Sequence, residues 1–163
     1  MSFPRKRESV FMKKREIYLI CQNIRSLFNV GSIFRTADAF GVKKIYLCGI
    51  TGHPPNPKIA KVALGAENSV AWEYARNTAS IIKKLKSAGI KIIALEQSKK
   101  SVPINKFRPK YPVALIIGNE VSGVTRSVLG LADKIVEIPM LGAKESLNVV
   151  QAAAVAMYVL AYK

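Results

Sequence analysis

Three short stretches of the chain concentrate side chains able to hold or transform a ligand. The first runs from Gln22 through Asn23, Arg25, Ser26 and Asn29 to Gly31. The second is Gly118-Asn119-Glu120-Val121-Ser122-Gly123, and the third runs from Pro139 through Met140, Lys144, Glu145 and Ser146 to Asn148. Each combines glycine with amides, hydroxyls or a carboxylate. Glycine lets backbone approach a ligand closely, and the polar side chains supply directional hydrogen bonds. The absent patterns narrow the chemistry. There is no G-x-x-x-x-G-K-[ST], so no P-loop, and no G-x-G-x-x-G after the first apolar run, which removes the usual dinucleotide crevice and the common Rossmann-type methyltransferase. No G-x-S-x-G elbow is present. The single histidine, His53, argues against a His-based triad and against most structural zinc sites, so no metal is expected. Any nucleophile is therefore expected to belong to a substrate.

The elements that must position these stretches follow from periodicity. Short apolar runs at Ile17–Cys21, Lys44–Cys48, Val70–Tyr74, Ile90–Leu95, Val113–Ile117 and Lys134–Ile138 suit strands. Between them, helical spacing appears at 31–40, where Ile33, Phe34, Ala37 and Phe40 share a face, at 58–64, at 125–131, and from an Asn77 cap to Ala88. A final helix is expected over 147–163, apolar nearly all round. Residues 97–112 read as a long basic loop with prolines at 103, 109 and 112, and loops of that length are usually functional. Strands alternating with helices predict an α/β domain, with a mainly parallel sheet and helices on both faces. In such sheets ligands bind outside the carboxyl ends of the strands, and each of the three polar stretches follows a strand.

Of the 163 residues, 26 are Lys or Arg and 10 are Asp or Glu, a net charge of +16. The excess is clustered: residues 1–16 carry net +4 and residues 83–110 net +8. A field of that size points to a polyanion, nucleic acid above all. A small-molecule α/β enzyme fits +16 poorly. Residues 1–16 read as a basic, flexible arm ahead of one domain at 17–163, with Met12 an alternative start. No apolar run approaches the ~20 residues needed to span a bilayer, and the opening residues lack the apolar core of a secretory signal. Two cysteines, Cys21 and Cys48, make no disulfide framework and suit buried thiols. A cytoplasmic setting is expected.

Taken together and in order, the three stretches resemble the motifs of the SpoU (TrmH-like) RNA 2′-O-ribose methyltransferases of the SPOUT superfamily. The first matches as Asn29-Val30-Gly31-Ser32-Ile33-Phe34-Arg35-Thr36-Ala37-Asp38-Ala39-Phe40-Gly41, the second as Gly118-Asn119-Glu120 with Gly123, the third as Ile138-Pro139-Met140 through Ser146-Leu147-Asn148-Val149. The resemblance covers residues 17–163 and leaves the arm outside. It implies S-adenosylmethionine (AdoMet) as cofactor, bound in a C-terminal deep trefoil knot, with contacts from Leu95, Gly118, Ile138, Met140 and Leu147. It implies a homodimer with substrate sites built across the interface, and tRNA or rRNA as substrate. The lack of a separate RNA-binding domain favours tRNA. A non-catalytic RNA-binding protein of the same fold is the alternative.

The resemblance places catalysis on Arg35, with Asn29, Glu120, Ser146 and Asn148 around it. Each can also serve an ordinary structural role. Arg35 can pair with Asp38 three residues on. Asn29 and Ser146 can cap the helices that follow them, as can Asn148, and Glu120 can accept hydrogen bonds from loop amides. His53, among prolines, is expected to be an ordinary loop residue.

Overall fold

A computed structural model describes residues 14–163; most of the basic arm, including Met12, lies outside the described residues. Among the described residues seven strands form one sheet: β1 (Ile17–Gln22), β2 (Lys44–Cys48), β3 (Ala71–Ala75), β4 (Lys91–Leu95), β5 (Val102–Pro103), β6 (Val113–Ile117) and β7 (Lys134–Glu137). Their spatial order is β3-β2-β1-β6-β4-β7-β5, and every pairing is parallel. The helices of the described residues that cover it are α1 (Leu27–Ala39), α2 (Pro57–Ala63), α3 (Ala66–Ser69), α4 (Thr78–Ser87), α5 (Arg126–Leu129) and α6 (Val149–Tyr162).

Strand alternation divides the core into two layers. Ile17, Leu19 and Cys21 of β1 face one layer, with Val30, Ile33, Phe34 and Ala37 of α1 and Ala153, Ala156, Met157 and Leu160 of α6. Tyr18 and Ile20 face the other, with Ile81, Ile82 and Leu85 of α4 and Val128 of α5. Because β6 is the middle strand and covered on both faces, all five of its residues are buried, which accounts for its unbroken run of apolar side chains. Cys21 and Cys48 are both buried and free. Burial pushes both thiols up, Cys48 to about 11, so neither is a reactive thiolate near neutral pH.

The structure departs from the sequence-based expectations at a few places. The first helix starts at Leu27 rather than Gly31, because Ser26 caps it by accepting from the Asn29 backbone N–H at 3.2 Å. Asn29 is therefore inside the first turn and is not the cap. The final helix starts at Val149, capped by Asn148, whose side chain accepts from Val150 N at 2.8 Å; Ser146 lies two residues before the cap. The basic stretch 97–112 is not one loop. It contains β5, and Ile104 beyond it is buried, with its N–H donating to the Glu137 carbonyl at 2.8 Å. The short α3 has no periodic signal at four residues. Helix α2 crosses α1 closely at Gly31, where a Cβ would lie 2.6 Å from the Ile59 carbonyl oxygen. Among the described residues no helix is long and apolar enough to cross a membrane.

Leu115 on β6 is fully buried and touches the layer shared by α1 and α6. Leu115→Ala should destabilise the fold by roughly 2–5 kcal/mol, the range for a large-to-small change at a site that cannot collapse. Denaturant unfolding would show it as a lowered midpoint with an unchanged slope.

Candidate functional site at the carboxyl edge of the sheet

The carboxyl ends of β4, β6 and β7 open into a cleft of about 260 Å³. Its walls come from four places in the chain: Leu95, Glu96 and Gln97 after β4; Ile117 through Gly123 after β6; Glu137, Ile138 and Met140 at the end of β7; and Ser146, Leu147, Val149 and Ala152 leading into α6. All five residues expected at the cofactor, Leu95, Gly118, Ile138, Met140 and Leu147, line this one cleft, and so do Glu120 and Ser146.

The loop after β6 holds itself in shape. Asn119 and Gly123 exchange backbone hydrogen bonds at 3.1 and 2.9 Å, and the Asn119 side-chain oxygen accepts from Val121 N and Ser122 N. A Cβ on Gly118 would collide with the Gly123 carbonyl carbon and the Val124 nitrogen. Glycine is thus required at 118 by the loop's own backbone, a different reason from close approach of a ligand.

Glu120 joins this loop to the stretch after β1. Its two carboxylate oxygens accept from Arg25 N (2.9 Å), Ser26 N (3.0 Å) and the Asn29 side-chain amide (3.1 Å). A carboxylate at the N-terminus of α1 also meets the positive end of that helix. Burial pushes the Glu120 carboxyl up, but these hydrogen bonds outweigh it and hold the group below the usual carboxylate range. The structure therefore brings Asn29 and Glu120 together as a pair that shapes the rim.

Glu96 does for β4 what Glu120 does for β1. Its carboxylate accepts from Val124 N at 2.9 Å and from Gln97 N at 3.0 Å, and it lies against Gly123, where any Cβ would collide with it. Gln97 donates to the Glu145 carbonyl at 2.6 Å and so ties down the third stretch. Behind the rim, Gln22 is buried and bonds Thr125 reciprocally at 2.9 and 3.0 Å, while the Thr51 hydroxyl links β1, β2 and Ile24. Sequence reasoning placed Gln22 at the head of the first polar stretch but missed Glu96, Gln97 and Thr51. Only Glu96 carried a signal, as the one acid within a run of basic residues.

Arg35 is not in the cleft. It is exposed on α1, and among the described residues it forms no ion pair, Asp38 included. Asn148 is outside the cleft wall as well and serves as the cap of α6. Among the described residues there is no group of three or more His, Cys, Asp or Glu side chains arranged to hold a metal ion.

A parallel α/β sheet with a ligand cleft built from the loops at its carboxyl edge defines the class of protein. The family model of the SpoU rRNA methylases matches residues 16–158, and the chain belongs to that family. It is 32% identical over 158 residues to a tRNA (guanosine(18)-2′-O)-methyltransferase of Aquifex aeolicus, an alignment covering 94% of this chain and 72% of that protein. It is 35% identical to a 23S rRNA (guanosine-2′-O-)-methyltransferase of Neisseria meningitidis, over 82% of this chain and 53% of that one. An AdoMet-bound rRNA methyltransferase structure from Sinorhizobium meliloti superposes with a TM-score of 0.84 at 28% identity, covering 91% of this chain and 56% of that one. The chain thus spans between about half and three quarters of these relatives' length.

The hydrogen bonds of Glu120 give a testable pH dependence. A carboxyl whose folded pKa is depressed adds stability above its unfolded pKa, and that stability is lost as pH falls through the folded value. Glu120→Gln should lower stability near pH 7 by roughly 1–2 kcal/mol, and its difference from wild type should shrink as pH falls below the usual carboxylate range and the acid takes up its proton. Thermal melts at pH 7 and at successively lower pH check this; an equal loss throughout would show that the charge is immaterial.

Proposed function

We propose that the protein is an AdoMet-dependent RNA methyltransferase acting on a ribose 2′-hydroxyl of tRNA or rRNA. The observation that carries this reading is the single cleft that gathers Leu95, Gly118, Ile138, Met140 and Leu147 from separate loops in a chain of the SpoU family. The cleft suits the cofactor chemically. Apolar side chains make part of its wall, and three carboxylates, Glu96, Glu120 and Glu137, give it a negative field in an otherwise basic protein. That field favours a cationic ligand. When bound, AdoMet supplies an electrophilic methyl group on a sulfonium. The trefoil knot of the family is part of this proposal, and the central position of β6 between β1 and β4 supports it.

Arg35 is the proposed catalytic residue. A guanidinium keeps its proton, so its role is to bind phosphate and to stabilise negative charge growing on the ribose oxygen. Asn29, Ser146 and Asn148 position the ribose, and Glu120 holds the first turn of α1, which carries Asn29. Within one chain Arg35 is outside the cleft, which favours a homodimer in which α1 of one copy meets the cleft of the other. An exposed apolar face supports that arrangement. Tyr158 and Tyr162 of α6 are 57% and 49% exposed, and both pack edge-on against Phe40 at the end of α1. Exposed lysines at 83, 99, 100, 106 and 110 supply phosphate contacts, and an RNA substrate fits a cytoplasmic setting.

Calorimetry in excess chelator should show AdoMet binding, and light scattering should give twice the 17.9 kDa chain mass. In single-turnover methylation with saturating RNA, Arg35→Ala should lose roughly 10²–10³ in rate, the scale of removing one group that stabilises developing charge. Its AdoMet affinity should stay unchanged. A wild-type rate for this variant would remove Arg35 from the mechanism, and RNA binding without any methyl transfer would favour a non-catalytic protein.

A further inference from the structure

The carboxyl edge of the sheet extends beyond the cleft, past β1 and β2 to the edge strand β3. There the turn after β2 folds His53 back over β3. The His53 ring lies 5.8 Å from the Trp72 ring, nearly parallel at 23°, and 4.9 Å from the Tyr74 ring. Trp72 and Tyr74 are two apart on one strand and so share a face. It is the face that bears α1, since Trp72 packs against the core layer of α1 and α6. These centroid distances are those of favourable aromatic pairs.

Aromatic groups that serve only the core are covered, whereas His53 and Tyr74 are open and Trp72 is half-buried. His53 is exposed and Tyr74 is 43% exposed, with Ile50 of the same turn 67% exposed beside them. The rings are also fixed. The His53 Nδ1–H donates to the Pro54 carbonyl at 2.9 Å, and the Tyr74 hydroxyl donates to the Gly49 carbonyl at 2.9 Å. Rings pre-set in this way lose little freedom when they take a flat partner. The same edge carries exposed cations: Arg76 directly after β3, Lys58 at the start of α2, and Arg25 after β1.

We propose that His53, Trp72 and Tyr74 form a stacking platform for an unpaired nucleobase of the RNA substrate, a few nucleotides from the reacting ribose. This rests on the RNA reading above. Single-stranded segments are recognised by stacking bases on His, Tyr and Trp rings while cations follow the phosphates. A duplex buries the faces of its bases and offers nothing to such a surface. The spacing is suitable. β3 lies three strand positions from β6 and four from β4, which at ~4.8 Å per strand is roughly 14–19 Å. Arg25, in the stretch after β1, stands between the platform and the cleft, its N–H held by Glu120 of the cleft wall. One strand of RNA laid along the rim would meet the platform, then Arg25, then the cleft.

Trp72 is the chain's single tryptophan, so its fluorescence reports this place alone. A short unstructured RNA carrying an end label should quench Trp72 in step with the rise in its own anisotropy. A blunt RNA duplex of equal length should bind through charge with far less quenching. His53→Ala should weaken single-strand binding roughly 5- to 100-fold, the range for one lost base–aromatic stack. Its salt slope should be unchanged because no phosphate contact is lost. His53→Phe should restore affinity, Tyr74→Phe should retain it, and AdoMet binding should be the same in all three variants. RNA that binds by anisotropy while Trp72 emission stays constant overturns the platform and leaves the RNA reading standing, as does wild-type affinity in His53→Ala. No RNA binding at low salt overturns both.

Discussion

The position of β6 is the constraint from which the site follows. This strand is formed late in the chain, yet it lies between β1 and β4, hydrogen-bonded to both. Its carboxyl loop consequently emerges between the loop after β1 and the end of β4, and it is tied to each by one carboxylate. Glu120 reaches across to Arg25, Ser26 and Asn29. Glu96 reaches back from β4 to Val124 and rests against Gly123. A central parallel strand covered on both faces requires a fully apolar β6, and Val113–Ile117 meets that requirement without exception.

The distribution of acids and bases shows a division of labour. The chain has only 10 acidic residues, and three of them, Glu96, Glu120 and Glu137, stand around one cleft. Each is engaged in shaping it: Glu96 and Glu120 hold backbone amides, and Glu137 accepts from Ser101 at 2.7 Å. Charged hydrogen bonds of this kind, partly shielded from water, contribute more than surface ion pairs do. The ion pairs of Lys43, Lys44, Lys84 and Lys86 are exposed or half-exposed and matter less to stability. The remaining cations leave a positive exterior around a cleft of opposite sign. Such a surface can hold a polyanion and a cationic cofactor side by side.

Much of the fold is legible in the amino-acid sequence alone. The strands Lys44–Cys48 and Val113–Ile117 have the bounds expected of them, and the Asn77 cap of α4 is where its residue type places it. The sequence is informative there because strand burial and helix capping are local. A run of five apolar side chains can be satisfied in few places other than a buried strand, and an amide just ahead of a helical period in few roles other than its cap. Locality also sets the limit. Ser26, Asn29, Ser146 and Asn148 are all able to cap, and nothing in their types says which of each pair does so. Backbone geometry chose Ser26 and Asn148. β5 is hidden in a basic, proline-rich stretch because two residues carry no period.

The sequence by itself determined a basic α/β domain with three polar loops, each after a strand, and through its motifs the family to which the chain belongs. Tertiary structure decided which loops meet. It set Glu120 against α1, which no spacing across about 90 residues could specify, and it made Glu96 and Gln97 part of the rim. It put Arg35 outside the cleft of its own chain, although the motif places it beside Asn29. It also turned His53 from a lone loop histidine into part of an aromatic cluster with Trp72 and Tyr74. The physical reason is the same in each case. A side chain's type fixes what it can bond, and only the folded backbone fixes what comes within bonding or stacking distance of it.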